Sequence, residues 1–294
     1  MEPWIETVCR AITESTGTRF TPTGSTGVGG GSISQGFRLV GSDGRHYFVK
    51  RNHLRHRAMF EAEAAGLLEL ARCAALRIPE VVVLADHDDA CFLVLEHLEL
   101  RGRPNSVRLG QGIAALHAIQ GHRFGWTQDN FIGSTPQSNI PEGNWTVFYR
   151  DQRLAFQRRL ARDNGASRKL IDAVARLESE LETLLAGHEP APALLHGDLW
   201  SGNWGFDRDG NPALFDPAVY FGDREADLAM MELFGHPGAD FFAAYNERLP
   251  LDDGYPVRRE LYNLYHILNH FNLFGGGYAA QAEGMTRRLL AELR

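Results

Sequence analysis

The stretch His196-Gly197-Asp198-Leu199-Trp200-Ser201-Gly202-Asn203, with Phe215-Asp216-Pro217 centred thirteen positions after Asn203, constrains this chain more than any other feature. An Asp and an Asn five apart, then a second Asp beyond a short hairpin, is a spacing that sets a base beside a metal-bound nucleoside triphosphate. The residue types follow from phosphoryl transfer. Charge spreads over the oxygens of the moving group, so hard oxygen donors are needed for a divalent cation, and one further carboxylate must orient the attacking hydroxyl. Asp198 is the candidate base, and Asn203 and Asp216 are the candidate Mg²⁺ ligands. Between them Trp204-Gly205-Phe206 and Ala213-Leu214-Phe215 flank a polar Asp207 to Pro212 turn, which reads as two short strands bringing Asn203 and Asp216 to one open end. Each Asp taken singly reads equally well as a solvated turn residue; the joint spacing of three does not.

With 294 residues the chain is long enough to bury roughly three quarters of its extended surface without a disulfide or structural cofactor. The formal net charge of −7 argues against a nucleic-acid surface as the main task. The basic run Lys50 to Arg57 is as consistent with a solvated helix approach as with an anion-attracting rim. Cys9, Cys73 and Cys91 are odd in number and widely spaced, which suggests neither a disulfide framework nor a zinc site. The acidic start, Met1-Glu2-Pro3-Trp4-Ile5-Glu6, is unlike a signal peptide, and no run approaches a membrane span. A cytoplasmic protein with no membrane partner is expected. The pair His53 and His56 lacks a third metal ligand at recognisable spacing.

Trp4, Ile5, Val8 and Ile12 recur at helical spacing. A glycine-dense stretch from Gly24 to Gly36 precedes strand patterns at 37–40 and 46–50, a helix at 60–70 and apolar strands at 81–84 and 91–95. Helical patterns then dominate, at 109–119, 147–162, 168–185 and 261–271. The expected architecture is α+β and two-lobed: residues 1–98 form a small antiparallel-sheet lobe that binds nucleotide, and residues 99–294 a mainly helical lobe that carries the Asp-Asn-Asp group.

That order gives each upstream feature a role. The glycine stretch lies between strands and lacks a Gly-Lys-Ser/Thr ending, so it is no Walker loop. It reads either as a phosphate cover or as a plain hairpin tip; in the first case the backbone of Gly29, Gly30 and Gly31 approaches phosphate while Ser32 and Ser34 offer hydroxyls. Lys50 ends an alternating strand and is expected inward, opposite a carboxylate, because an unpaired buried charge is costly. Glu61 and Glu63 are available on the following helix, and Glu63 is preferred beside the Phe60, Ala64 and Leu67 face. Glu96, His97 and Leu98 end the lobe's last strand, where an adenine ring needs an apolar slot and main-chain hydrogen bonds.

Gly29 to Ser34, Phe60-Glu61-Ala62-Glu63, Leu95-Glu96-His97-Leu98, Leu194 to Asn203 and Phe215-Asp216-Pro217-Ala218 together resemble the fructosamine-3-kinase (ketosamine-3-kinase) family. The resemblance continues through Gly125-Trp126 to Asn139, Asn144 to Leu154, and Asn269 to Gly275. His-Gly-Asp with Asn five beyond Asp is shared with aminoglycoside and choline phosphotransferases, and the Leu-Trp-Ser-Gly-Asn continuation is far more specific. The resemblance implies a protein-kinase-like fold and ATP- and Mg²⁺-dependent phosphorylation of the third hydroxyl of a ketosamine, free or protein-bound, with deglycation as the result. It implies that Asp198 is the base, Asn203 and Asp216 bind Mg²⁺, Lys50 pairs with Glu63, and Trp200 borders the sugar. Ser32 stands where eukaryotic members tend to carry a loop cysteine, so a loop-thiol switch is not expected.

The substrate side is less legible. Glu225 and Asp227 either anchor the second lobe or face the substrate amine. Trp200, His270 and Phe274, with Phe271, are candidates for an aromatic wall against the sugar. A kinase of another hydroxylated amine, of the aminoglycoside or choline type, is the alternative within the fold. A nucleotide-binding scaffold without turnover is a third reading, against which stands the retention of Lys50, Asp198 and Asp216.

Overall fold

The computed structural model describes residues 2–29 and 33–293, arranged as two compact units. The first comprises residues 1–104 together with 205–216, and the second residues 105–204 and 217–294.

The first unit is built on a five-stranded antiparallel sheet: β1 (Pro22–Val28), β2 (Gln35–Gly41), β3 (His46–His53), β4 (Val81–His87) and β5 (Ala90–Glu96), in the order β1-β2-β3-β5-β4. Helix α1 (Pro3–Thr16) buries Trp4, Ile5, Val8, Cys9 and Ile12. These residues form one core with Leu39, Tyr47, Val49, Phe92 and Val94 of the sheet. Trp4 stacks on Phe92 with ring centroids 5.2 Å apart, a large apolar contact that seats the helix. Side chains alternate along a strand, so a face that takes Tyr47 and Val49 into this core sends Phe48 and Lys50 to the other side. The β3–β5 register sets Lys50 opposite Leu93. Helix α2 (Arg57–Leu70) buries Phe60, Ala62, Ala64, Leu67 and Leu70.

The hairpin Trp204–Phe206/Pro212–Leu214 is far in sequence from this sheet yet is sewn to its unit by main-chain bonds. Arg77 N donates to Pro212 O at 2.8 Å, Leu214 N to Arg77 O at 3.0 Å, and Gly102 N to Phe206 O at 3.0 Å. Asp207 shapes the turn, with its Oδ1 accepting from the N–H groups of Asp209 and Asn211.

The second unit is mainly helical. Helix α3 (Ser106–His117) begins at Asn105, whose side chain accepts from Arg108 N. A continuous helical stretch follows at Trp145–Phe148, Tyr149–Leu154 and Ala155–Asp163, of which the middle piece is a π-helix. The periodicity reads as one ordinary helix there; the wider turn accommodates Tyr149, Arg153 and Leu154, all buried, on the inner side. The stretch expected at 168–185 divides into Arg168–Ser179 and Leu181–Leu184, and the later helices are Glu225–Leu233, Ala239–Asn246, Tyr255–Phe274 and Tyr278–Ala291. Two short strands, Ala193–Leu195 and Tyr220–Gly222, pair antiparallel with Leu195 opposite Tyr220. Among the described residues no helix is long and apolar enough to cross a membrane.

Glu225 anchors the helical unit. Arg258 of the long helix Tyr255–Phe274 grips its carboxylate with two bonds, of 2.6 and 2.9 Å, and both side chains are buried. Arg258 also holds Asp252 at 2.6 Å, so Glu225→Ala removes two charge-assisted bonds without leaving the arginine unpaired, and is expected to lower unfolding free energy by about 2 kcal/mol. Urea denaturation measures it, and a loss below about 1 kcal/mol, the range of an exposed pair, would contradict an anchoring role.

Candidate functional site

In the second unit, strand Ala193–Leu195 leads into the Asp198 loop. His196 and Leu199 are fully buried on either side of Asp198, so the loop is pinned at both flanks while Asp198 remains partly exposed. Gly197 has φ +83°, and a Cβ there would lie 2.0 Å from the carbonyl oxygen of Ala218; only glycine fits. Asn203 Nδ2 donates to the Asp198 carbonyl oxygen at 2.8 Å and to its Oδ2 at 3.1 Å. With its NH₂ group committed to Asp198, the Asn203 amide turns Oδ1 to the opposite side.

A carboxylate thirty positions downstream holds the loop backbone. Asp227 Oδ2 accepts from His196 N at 2.7 Å and Oδ1 from Gly197 N at 2.8 Å. His117 Nε2 lies 3.2 Å from Oδ2 and its Nδ1 2.8 Å from the hydroxyl of Tyr245. An ionised carboxylate only accepts, so His117 presents a protonated Nε2 to it. Burial alone pushes the Asp227 carboxyl up, but the His117 bond and charge, with the loop amide, outweigh it and hold the group below the ordinary 3.8. Of the two roles open to Asp227, the geometry gives the anchor.

In the first unit, Lys50 Nζ lies 2.7 Å from Glu63 Oε1 and 2.6 Å from Asp216 Oδ1. Glu61 instead pairs with Arg57 on the surface. Burial disfavours the Lys50 charge, but Asp216 and then Glu63 more than compensate and raise its pKa. Burial pushes the Glu63 carboxyl up to about 7; Lys50 offsets this in part while Asp216 adds to it. Two carboxylates on one ammonium leave an excess of negative charge and oxygen donors only. That donor chemistry suits a hard divalent cation at Asp216. Asp216 also has φ +58°, one of two non-glycine residues in that region among those described.

Gly29 and Ser34 border the glycine loop, and Asn52 Nδ2 of β3 donates to Ile33 O at 3.2 Å and Ser34 Oγ at 3.1 Å, tying the loop's return to the Lys50 strand. Gly30, Gly31 and Ser32 lie outside the described residues. At the end of β5, Glu96 N donates to Glu80 O at 2.9 Å and its side chain pairs with Arg77. A ligand's main-chain donor must therefore come from beyond Glu96. His97 stands next, its ring 5.9 Å from His46, with burial and then the Arg38 charge holding its pKa down. Leu98 is half-buried beside it.

The Trp200 ring lies over Gly202, where a Cβ would meet it at 2.2 Å, and remains 36 % exposed. Ser201 Oγ donates to Phe234 O at 3.1 Å. Phe234, Phe274 and Tyr278 surround His270 at centroid distances of 4.9, 5.7 and 5.2 Å. His270 Nδ1 lies 2.7 Å from the His266 carbonyl, so Nδ1 carries the proton and Nε2 the lone pair. Phe274 is more than half exposed. Phe234 and Tyr278 escape a reading of the sequence, because a lone aromatic in a loop or at a helix start carries no periodic signal.

The structure thus groups Lys50, Glu63 and Asp216 in one unit, and Asp198 with Asn203 in the other. Against known proteins, the family model for fructosamine kinase matches residues 4–292. A probable ketoamine kinase of Synechocystis is 44 % identical over 98 % of this chain and 97 % of its own. The chloroplastic protein-ribulosamine 3-kinase of Arabidopsis thaliana is 38 % identical over 96 % and 87 %. The crystal structure of a provisionally named fructosamine-3-kinase of Haemophilus somnus superposes with a TM-score of 0.88 at 27 % identity, covering 97 % of both chains. The fold is the two-lobed α+β fold of protein-kinase-like phosphotransferases, and the chain belongs to the fructosamine kinase family.

Proposed function

We propose that this chain transfers the γ-phosphoryl group of ATP to the third hydroxyl of a ketosamine, with Asp198 as the base that takes the hydroxyl proton. The Asp198–Asn203 contact carries the reading. Asn203 donates both to the main chain and to the side chain of Asp198, so the carboxylate is held in one plane and its second oxygen has a defined direction. The family match supports a ketosamine acceptor, and the Trp200 ring beside this loop provides an apolar face for the sugar.

Asn203 Oδ1 and the Asp216 carboxylate are the oxygen donors that would hold Mg²⁺. Bound there, the cation with the nucleotide supplies charge that draws electron density from the transferred group. The chain's own groups do the remainder. Lys50, kept protonated by two carboxylates, offers an ammonium to α- and β-phosphate oxygens, and Glu63 keeps it in place. The backbone beyond Glu96, at His97 and Leu98, supplies the adenine contacts, and Gly29 to Ser34 the phosphate cover. His270 Nε2 presents a lone pair among aromatic rings, where a secondary ammonium of the acceptor would find both a hydrogen-bond acceptor and ring faces.

Asp198→Asn keeps the shape of the side chain and removes its basicity, and is expected to lower kcat by roughly 10² to 10⁴ with nucleotide affinity unchanged. Phosphate transfer to ribulose-lysine and fructose-lysine, with the product located by NMR, tests this, and near-normal turnover would take Asp198 out of the base role. Kanamycin and choline serve as competing acceptors in the same assay; phosphate appearing on either of them and on no ketosamine would overturn the acceptor class.

Asp227 generates a pH dependence. Its pKa is lower folded than unfolded, so its stabilisation is fully present above about pH 4 and is lost as pH falls through the lower folded value. Asp227→Asn is expected to be less stable than the parent chain by an amount constant from pH 5 to 8 that shrinks below pH 4. Denaturation curves at stepped pH check this; a gap that instead closed between pH 6 and 8 would assign the titration to another group.

A further inference from the structure

Arg153 is fully buried, and the donors it spends go to neutral acceptors: Nη1 to Ser138 O at 2.6 Å and to Gln152 O at 3.2 Å, and Nη2 to Asn139 Oδ1 at 2.8 Å. Its guanidinium lies over the rings of Tyr220, at 4.1 Å, and Phe148, at 4.7 Å. A buried cation held by neutral groups is expensive to desolvate.

We propose that Arg153 is a positioning residue that sets the direction of a buried amide relay, and that this relay fixes the backbone immediately beyond Asp216. Guanidinium has donors and no acceptor, so Asn139 must present Oδ1 to it and Nδ2 elsewhere. Asn139 Nδ2 donates to Asn130 Oδ1 at 2.9 Å, and Asn130 Nδ2 in turn donates to Val219 O at 2.7 Å. A second line starts at Tyr265, whose hydroxyl donates to Gln137 Oε1 at 2.6 Å, while Gln137 Nε2 donates to Ala218 O at 3.1 Å and to Asn130 Oδ1 at 2.8 Å. Two directed lines of donors therefore converge on consecutive carbonyls. Ala218 N donates to His196 O at 2.8 Å, so Ala218 is held through both its N–H and its carbonyl and is linked to the Asp198 loop. Asp216 stands two residues upstream with a φ of +58°, a backbone conformation that a non-glycine residue adopts only when its surroundings impose it. Apolar packing would bury Ala218 and Val219 equally well, but it would not dictate peptide orientation.

The proposal rests on Asp216 as the cation ligand. Three variants of the full chain, each shown to be folded by its melting curve, are compared with the parent by calorimetry, using AMP-PNP with Mg²⁺ and AMP-PNP in EDTA. Asn130→Asp keeps the acceptor oxygen for Gln137 and Asn139 but sets a second oxygen against Val219 O. Gln137→Met deletes the bond to Ala218 without adding charge, and serves if the first variant fails to fold. Asp216→Ala reports the cation assignment itself. The relay variants are expected to weaken Mg²⁺·AMP-PNP binding at least tenfold while metal-free affinity stays within twofold. Parental Mg²⁺·AMP-PNP affinity in a folded relay variant, with Asp216→Ala impaired, overturns the relay and leaves the cation assignment standing. Parental affinity in Asp216→Ala overturns both.

Discussion

The helical unit's site depends on one buried carboxylate. Asp227 binds two successive main-chain N–H groups, of His196 and Gly197, and is itself steadied by His117. Loop N–H groups drawn out of water need acceptors, and a carboxylate accepts more strongly than a carbonyl. Because the two bonded residues directly precede Asp198, the direction in which the Asp198 side chain leaves the backbone is set by the helix that carries Asp227, not by the loop. A loop side chain thereby gains the precision of a helix.

Lys50 is positioned differently. Its backbone is a rung in a central strand, hydrogen-bonded to β2 on one side and β5 on the other, with α1 packed beneath its neighbours Tyr47 and Val49. The ammonium then needs only its two carboxylates to be fixed. The balance of that triad is negative, and burial makes the excess costly, as the raised Glu63 carboxyl shows. Such a triad is satisfied when a cation joins Asp216 and anionic oxygens join Lys50. The excess negative charge of the triad is therefore compatible with the charge pattern of a metal–nucleotide pair.

What could be read from the sequence divides along physical lines. Helix α1 is legible because Trp4, Ile5, Val8 and Ile12 face one sheet, and burial on one side writes a period into the chain. The choice of Glu63 over Glu61 as the partner of Lys50 follows from the same facing argument. Asp198, Asn203 and Asp216 stand out because the chemistry admits few residue types at few spacings. Arg153, Asn130 and Gln137 do not stand out. An arginine in an amphipathic helix reads as surface, and amides in a loop read as solvated; only the π-helical turn and the return of 218–219 past 130–139 bury them. The hairpin at 205–216 likewise reads correctly as a hairpin, but its main-chain bonds to Arg77 and Gly102 join residues more than a hundred positions apart, and no local pattern records them.

Those buried polar groups also bear on why the helical unit is not simply apolar inside. Hydrophobic burial is non-directional and stabilises any arrangement that hides the same area. A hydrogen bond whose donor cannot be exchanged for an acceptor stabilises one arrangement only. Arg153 and ionised Asp227 are both of this kind, one purely a donor and the other purely an acceptor, and the amides between Arg153 and Val219 can satisfy all their groups in only one orientation. The desolvation of an arginine and an aspartate is thus exchanged for a single permitted backbone path on either side of Gly197, where Ala218 O leaves no room even for a methyl group.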